Sequence, residues 1–260
     1  MEYAAGRLLW ATSVERRRGE LGVVAEGALG RLAHWRAPRQ PASSAGVATI
    51  GATARSIASA SGMRLVLGST SAAVTTLTPG FVVRTGESGA AALTRLLARV
   101  PDQLTGHGLT VILEERDPDE AATYAYGTTH PVRSLSLRDA EGAPAWARVL
   151  GSGAVGEAVA GSGGHPVLGG GIAVVVDPAI TDAGIADARA EATLRRAALL
   201  EERGTLEATP HPGHEVGDVI AITDATLGLD AEPFRVTSVA LDYTCQPRGK
   251  YVMRLGLGNR

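Results

Sequence analysis

One cysteine, Cys245, occurs in 260 residues, so an intramolecular disulfide and a cysteine metal cluster are both excluded. Lysine is almost missing: Lys250 is the single one, and arginine carries the rest of the positive charge. Aromatic residues make up 4%, which leaves the core to Val, Leu, Ile and Ala. The formal net charge is −2 and the pI near 6.3, so there is no whole-chain basic field of the kind that holds nucleic acid. No run approaches 18 apolar residues, which argues against a membrane-spanning helix. Met1–Trp10 lacks a basic segment followed by an apolar one. It does not read as a secretory signal, and the chain is expected to be made and assembled in a cytoplasm. No internal repeat of fixed period is visible.

What is present is ordinary for a soluble protein: 45% hydrophobic residues, 20% charged and 33 glycines. The length suffices for one large domain or two small ones. Residues 1–37 read as irregular, with Leu8, Trp10, Val14, Leu21 and Val23 suited to one or two strands, and 37–46 as a linker. Thr53 is a candidate cap for a short helix over 55–61 ended by Gly62, and Thr85 for a second helix. Ala92, Leu93, Leu96, Leu97 and Val100 give that second helix its apolar face. Strands are expected at 64–67, 81–84, 109–114, 132–138, 146–150 and 172–177. The longest helix is expected over 182–203, with Thr181 as cap, Gly204 as stop, a small-residue face of Ala186, Ala190, Leu194 and Ala197, and a Glu191–Arg195 pair. After it the chain reads as β to the end. In the last strand Tyr251, Met253, Leu255 and Leu257 are expected on one side.

Few motifs suggest chemistry. Gly151-Ser152-Gly153-Ala154-Val155-Gly156 fits the dinucleotide fingerprint G-x-G-x-x-G after a strand. That fingerprint needs a helix opening at its third glycine, and only residues 157–160 remain before Gly161 begins a glycine-rich loop reaching Gly171. A glycine-rich β-loop is the alternative. His211 and His214 flank Pro212-Gly213, with Glu215 and Asp218 nearby. Zinc wants three or four ligands in fixed geometry, and Pro and Gly deny this run the helix that aligns two histidines. A turn entering a strand is the reading preferred. Asp117, Asp119 and Glu120 read as a solvated turn rather than a calcium fragment. Arg16-Arg17-Arg18 reads as a solvated face, and Glu114 and Glu115 are unpositioned acids. No catalytic, cofactor-binding or metal-binding residue is assigned, and the expectation is that the chain is not an enzyme.

Several stretches resemble the tail-hub, or baseplate-hub, proteins of tailed phages. They are 55–67 (RSIASASGMRLVL), 86–104 (GESGAAALTRLLARVPDQL), 126–137 followed by 147–153, and 177–224, which runs from a helix of small residues into PGHEVGDVIAITD. Residues 234–243 and 251–258, ending in L-G-L-G, follow. The resemblance covers roughly residues 50–260 and rests on their order and spacing. It implies an α+β fold with a β-barrel-like C-terminal domain and an α/β insert domain. The implied units are 1–46 (a reduced or partial first barrel), 47–142 (α/β) and 143–260 (β-barrel with the long helix). It implies a virion structural protein at the tail tip that joins tube to tip and lines the channel, and no cofactor is expected. The implied partners are two further copies in a homotrimer, the tail-tube or distal tail protein, other tip or spike proteins and the tape-measure protein. DNA passes the channel without stable binding, and this chain does not insert in a membrane. Two other readings stay open: a tail-associated cell-wall hydrolase, and a nucleotide-binding protein using Gly151–Gly156.

Overall fold

The structure, a computed structural model, describes residues 9–18, 20–108, 110–117, 119–128, 130–138, 143–160, 171–211, 213–243 and 251–259. Cys245, Lys250 and residues 161–170 of the glycine-rich loop lie outside the described residues. In chain order the elements are β1 (Trp10–Arg17), β2 (Glu20–Glu26), α1 (Ala28–His34), β3 (Ala42–Ser43), α2 (Ile50–Ala60), β4 (Arg64–Leu67), α3 (Ala72–Thr76) and β5 (Phe81–Val82). Next come α4 (Gly89–Leu97), β6 (Gln103–His107), β7 (Thr110–Glu114), β8 (Tyr124–Tyr126), β9 (Val132–Leu137), β10 (Trp146–Leu150), β11 (Val155–Val159) and β12 (Ile172–Val176). The last are α5 (Ala183–Leu200), β13 (Glu202–Ala208), β14 (Val219–Asp224), β15 (Leu229–Tyr243) and β16 (Tyr251–Gly258).

Three hydrophobic cores organise these elements. The first lies between helices α1, α2 and α4 and the sheet β4-β7-β6, in which β4 runs parallel and β6 antiparallel to β7. The five apolar positions read from the sequence, Ala92, Leu93, Leu96, Leu97 and Val100, are all buried there. The caps differ from expectation. Ser88, not Thr85, accepts the Ala91 N–H at the start of α4, because Thr85 sits in the turn that the Glu87 N–H closes on Arg84 O. Likewise Thr49 caps α2 and Thr53 lies inside the helix. Residues 28–37 are not an irregular arm: Ala28, Leu32 and Ala37 belong to this same core. The stretch 37–46 is pinned by the β3–β5 pair.

The second core is the inner face of a six-stranded sheet of order β8-β14-β15-β16-β13-β9. All neighbours are antiparallel except β8 and β14. Met253, Leu255 and Leu257 point into it as expected, whereas Tyr251, at the end of the strand, is 46% exposed. The resemblance implied a barrel-like domain, and the sheet is a curled half-barrel: among the described residues β8 and β9 end it, and the two strands do not pair with each other. Both come from residues 124–137, ahead of the boundary expected at 142, so the ladder crosses that boundary.

In the third core α5 packs on the sheet β11-β10-β12 through Ala186, Ala190 and Leu194. The helix therefore lies on this small sheet and not across the six-stranded one. Asp182, rather than Thr181, caps it by accepting the Ile185 N–H at 3.0 Å. It ends at Leu200, and Gly204 is already inside β13. Gly156 sets the approach of helix to sheet. A Cβ there would stand 2.1 Å from Ala186 C and 2.3 Å from Asp187 N, inside any real contact. Gly156→Ala is therefore expected to destabilise the fold by about 1–3 kcal/mol, because backbone cannot yield as a side chain does. Urea unfolding checks this: its midpoint should fall, while Gly171→Ala, where a Cβ meets nothing within 4 Å, should leave it in place.

Candidate functional site

The densest cluster of polar aromatic groups forms where β8 joins the edge of the six-stranded sheet. Parallel pairing sets Tyr124 beside Ile220 and Tyr126 beside Ile222. The chain then turns at Gly127, whose N–H donates to His130 O at 2.8 Å, bringing His130 back toward the tyrosines. Gly127 has φ +92°, and a Cβ there would meet Thr223 O, so this turn requires glycine. From the other side comes the segment between β13 and β14 with His211 and His214. The His214 ring packs edge-on to Tyr124 at 4.6 Å between centroids, and His211 does so at 4.3 Å. His211 lies 5.0 Å from His214 and 5.7 Å from His130.

The chemistry of the cluster centres on His214, whose side chain is fully buried. Its Nε2 is 2.5 Å from the Tyr126 hydroxyl. Burial, with Tyr124 adding to it, pushes the Tyr126 phenol up to about 12, so the phenol keeps its proton and donates it. Burial foremost, then the neighbouring His211, lowers the His214 pKa against the opposing pull of Asp218. The ring is neutral and accepts at Nε2, which leaves the Nδ1 proton facing Asp218 Oδ2 at 3.6 Å, too far for a hydrogen bond. Such an arrangement anchors a loop to a sheet edge. Among the described residues, no three His, Cys, Asp or Glu side chains converge on a metal position.

The other candidates from the sequence are placed apart and engaged structurally. Gly151–Gly156 is the turn of the β10–β11 hairpin, and Gly156 lies in a strand, so the helix the dinucleotide fingerprint needs does not open there. Ser152 N–H donates to Ile180 O at 2.7 Å, tying the turn to the segment ahead of α5. Asp117 accepts the Asp119 N–H within its own turn. Glu120 pairs at 2.8 Å with Arg235, a guanidinium only 4% exposed that also donates to Gly217 O and Asp117 O. Glu114 pairs with Arg116 at 3.0 Å, and Glu115 pairs with Arg195, which displaces the expected Glu191–Arg195 pair. Arg16 and Arg18 are exposed on the β1–β2 hairpin. Sequence reading did not connect Tyr124, Tyr126 and His130 with the downstream histidines, because the pairing of β8 with β14 spans about ninety residues of chain.

No protein-family model and no curated protein matches this sequence. Solved structures do match. The chain superposes on a tail protein from Neisseria meningitidis MC58 with a TM-score of 0.71 at 13% identity, covering 97% of this chain and 80% of that one. The fold is that of phage tail proteins. The 43 kDa tail protein of prophage MuSo2 from Shewanella oneidensis gives a TM-score of 0.63 at 13% identity, over 91% of this chain and 71% of that one. Prophage tail protein gp18 from Listeria monocytogenes EGD-e gives 0.61 at 12% identity, over 99% and 78%.

Two outcomes follow from the Tyr126–His214 contact. Tyr126→Phe leaves a buried ring nitrogen without its partner and should cost about 1–3 kcal/mol in a denaturant titration. The pH dependence has a definite sign. The unfolded chain binds a proton at His214 near the ordinary value of about 6.5, and the folded chain only at lower pH. Below about 6.5 the unfolded state therefore binds more protons, so stability is full above that pH and falls as pH drops toward the folded value. Unfolding midpoints at pH 7.5 and 5.5 should differ more for the wild type than for His214→Gln.

Proposed function

We propose that this chain is a non-enzymatic structural protein of a phage-like tail, forming the hub at the distal end of the tail tube, joining tube to tip and lining the channel. The observation that supports this most is the match over 97% of the chain to a tail protein fold, in line with the tail-hub resemblance of the sequence. In this reading the half-barrel is completed by strands of neighbouring copies set against its β8 and β9 edges, since edge strands are the natural places for a sheet to continue into another chain. Three copies make the ring, placed in the virion at the tail tip, with a tail-tube or distal tail protein above and spike and tape-measure proteins as further partners. Structural roles also suit the polar groups: Glu114, Glu115 and Glu120 are held in ion pairs with Arg116, Arg195 and Arg235. Cryo-EM of the intact tail particle tests the proposal. Three copies of this chain at the junction of tube and tip are expected. Another copy number would overturn the trimer, and a position in the head or neck would overturn the hub assignment.

A further inference from the structure

Between α5 and the α2–α3 side of the first layer lies a cavity of about 140 Å³, room for several water molecules. Arg99 and Arg189 are the charged residues of its lining, and Thr78, Ile180 and Ile185 are among the others. The two arginines arrive from different layers, Arg99 from just past α4 and Arg189 from α5. Arg99 Nη2 is 3.3 Å from Asp177 Oδ2. Arg189 feels the charge of the same Asp177, but its Nε and Nη1 are buried and meet no hydrogen-bond acceptor among the described residues. The remaining charges nearby are already engaged. Asp102, fully buried, accepts from the Ser71 N–H and hydroxyl. Arg196 donates to the Leu97 and Val100 carbonyls. Among the described residues three arginines thus face two carboxylates here, and of the three it is Arg189, at the cavity wall, whose buried donors are unused.

Buried donors are nearly always satisfied in folded proteins, and charged ones most of all. We propose that this cavity is an anion site, in which Arg189 with Arg99 beside it binds one small oxyanion, a phosphate or a carboxylate. Arginine suits both, since its planar group donates several hydrogen bonds to such oxygens. Burial foremost lowers the Arg189 pKa to about 10, with Asp177 opposing and Arg99 and Arg196 adding to the shift, so the group is still charged at neutral pH. Bound there, the anion would bridge α5 to the first layer, and binding to the folded state alone raises stability by mass action. This inference rests on the cavity and its charges and does not depend on the proposed tail role.

Thermal unfolding of the full chain in chloride buffer, titrated with inorganic phosphate or with acetate at constant ionic strength, tests it. A saturable rise in Tm is expected with at least one of the two. A rise with phosphate alone identifies a tetrahedral anion, and a rise with acetate identifies a carboxylate. Arg189→Gln should weaken the apparent affinity by about tenfold or more, whereas Arg64→Gln, at an exposed position on β4, should not change it. Should Arg189→Gln fail to fold, crystals of the wild type soaked in selenate provide a second measurement, with an anomalous peak expected beside Arg189. No saturable rise with either anion, a rise unchanged in Arg189→Gln, or selenate bound only elsewhere would overturn the proposal.

Discussion

At Gly156 the backbone of β11 runs so close to the Ala186–Asp187 peptide that α5 rests on its sheet with no side chain between them. The Glu157 N–H donates to Asp187 Oδ1 at 3.1 Å at the same point. With the inner face fixed at this distance, the outer arginines of α5 reach the first layer. Arg195 pairs with Glu115 and donates to Arg116 O, and Arg196 donates to Leu97 O. The far end of the helix is tied to the six-stranded sheet by Asn259, directly after β16, whose amide donates to Ala198 O and Glu201 Oε2. One helix thus packs in the third core and is hydrogen-bonded to the first layer and to the end of β16, and its position depends on a glycine.

A second chain of dependence runs through Arg235. A buried guanidinium is costly unless its hydrogen bonds are met. Here the two Nη atoms bond Glu120, Gly217 O and Asp117 O, while Nε has no partner among the described residues, and these bonds hold the segment between β7 and β8 against the start of β14. That placement feeds β8 into the sheet edge and brings its tyrosines onto His211 and His214. The polar groups of this region act as fasteners between segments distant in sequence, in keeping with a protein whose proposed work is to hold a position in an assembly.

Much of the local structure was legible in the residues. The apolar spacing of 92–100 marks α4, because a helix with one buried face must repeat near every 3.6 residues. The alternation of Met253, Leu255 and Leu257 marks β16, because a strand buries every second side chain. The α+β class was visible as well, and the match to phage tail protein folds agrees with it. Helix starts were placed less well. Thr49, Thr53, Ser88, Thr85, Asp182 and Thr181 are all chemically able to cap, and only the path of the preceding chain selects among them. The strand β6, with Thr105, Gly106 and His107, carries no clear alternation and was not foreseen.

The sequence by itself determined which of the strongly periodic segments bury an apolar face, among them α4, α5 and β16, because periodicity is a property of neighbouring residues. Only the tertiary structure decided that β8 and β9 belong to the C-terminal sheet, that this sheet stops as a half-barrel, and that α5 lies on β10–β12. It alone brought His130, His211 and His214 together around two tyrosines, and set Arg189 against a cavity with its donors unused. These are contacts between residues tens of positions apart, where the outcome depends on pairing and close approach in space, and no local pattern of residue types encodes them.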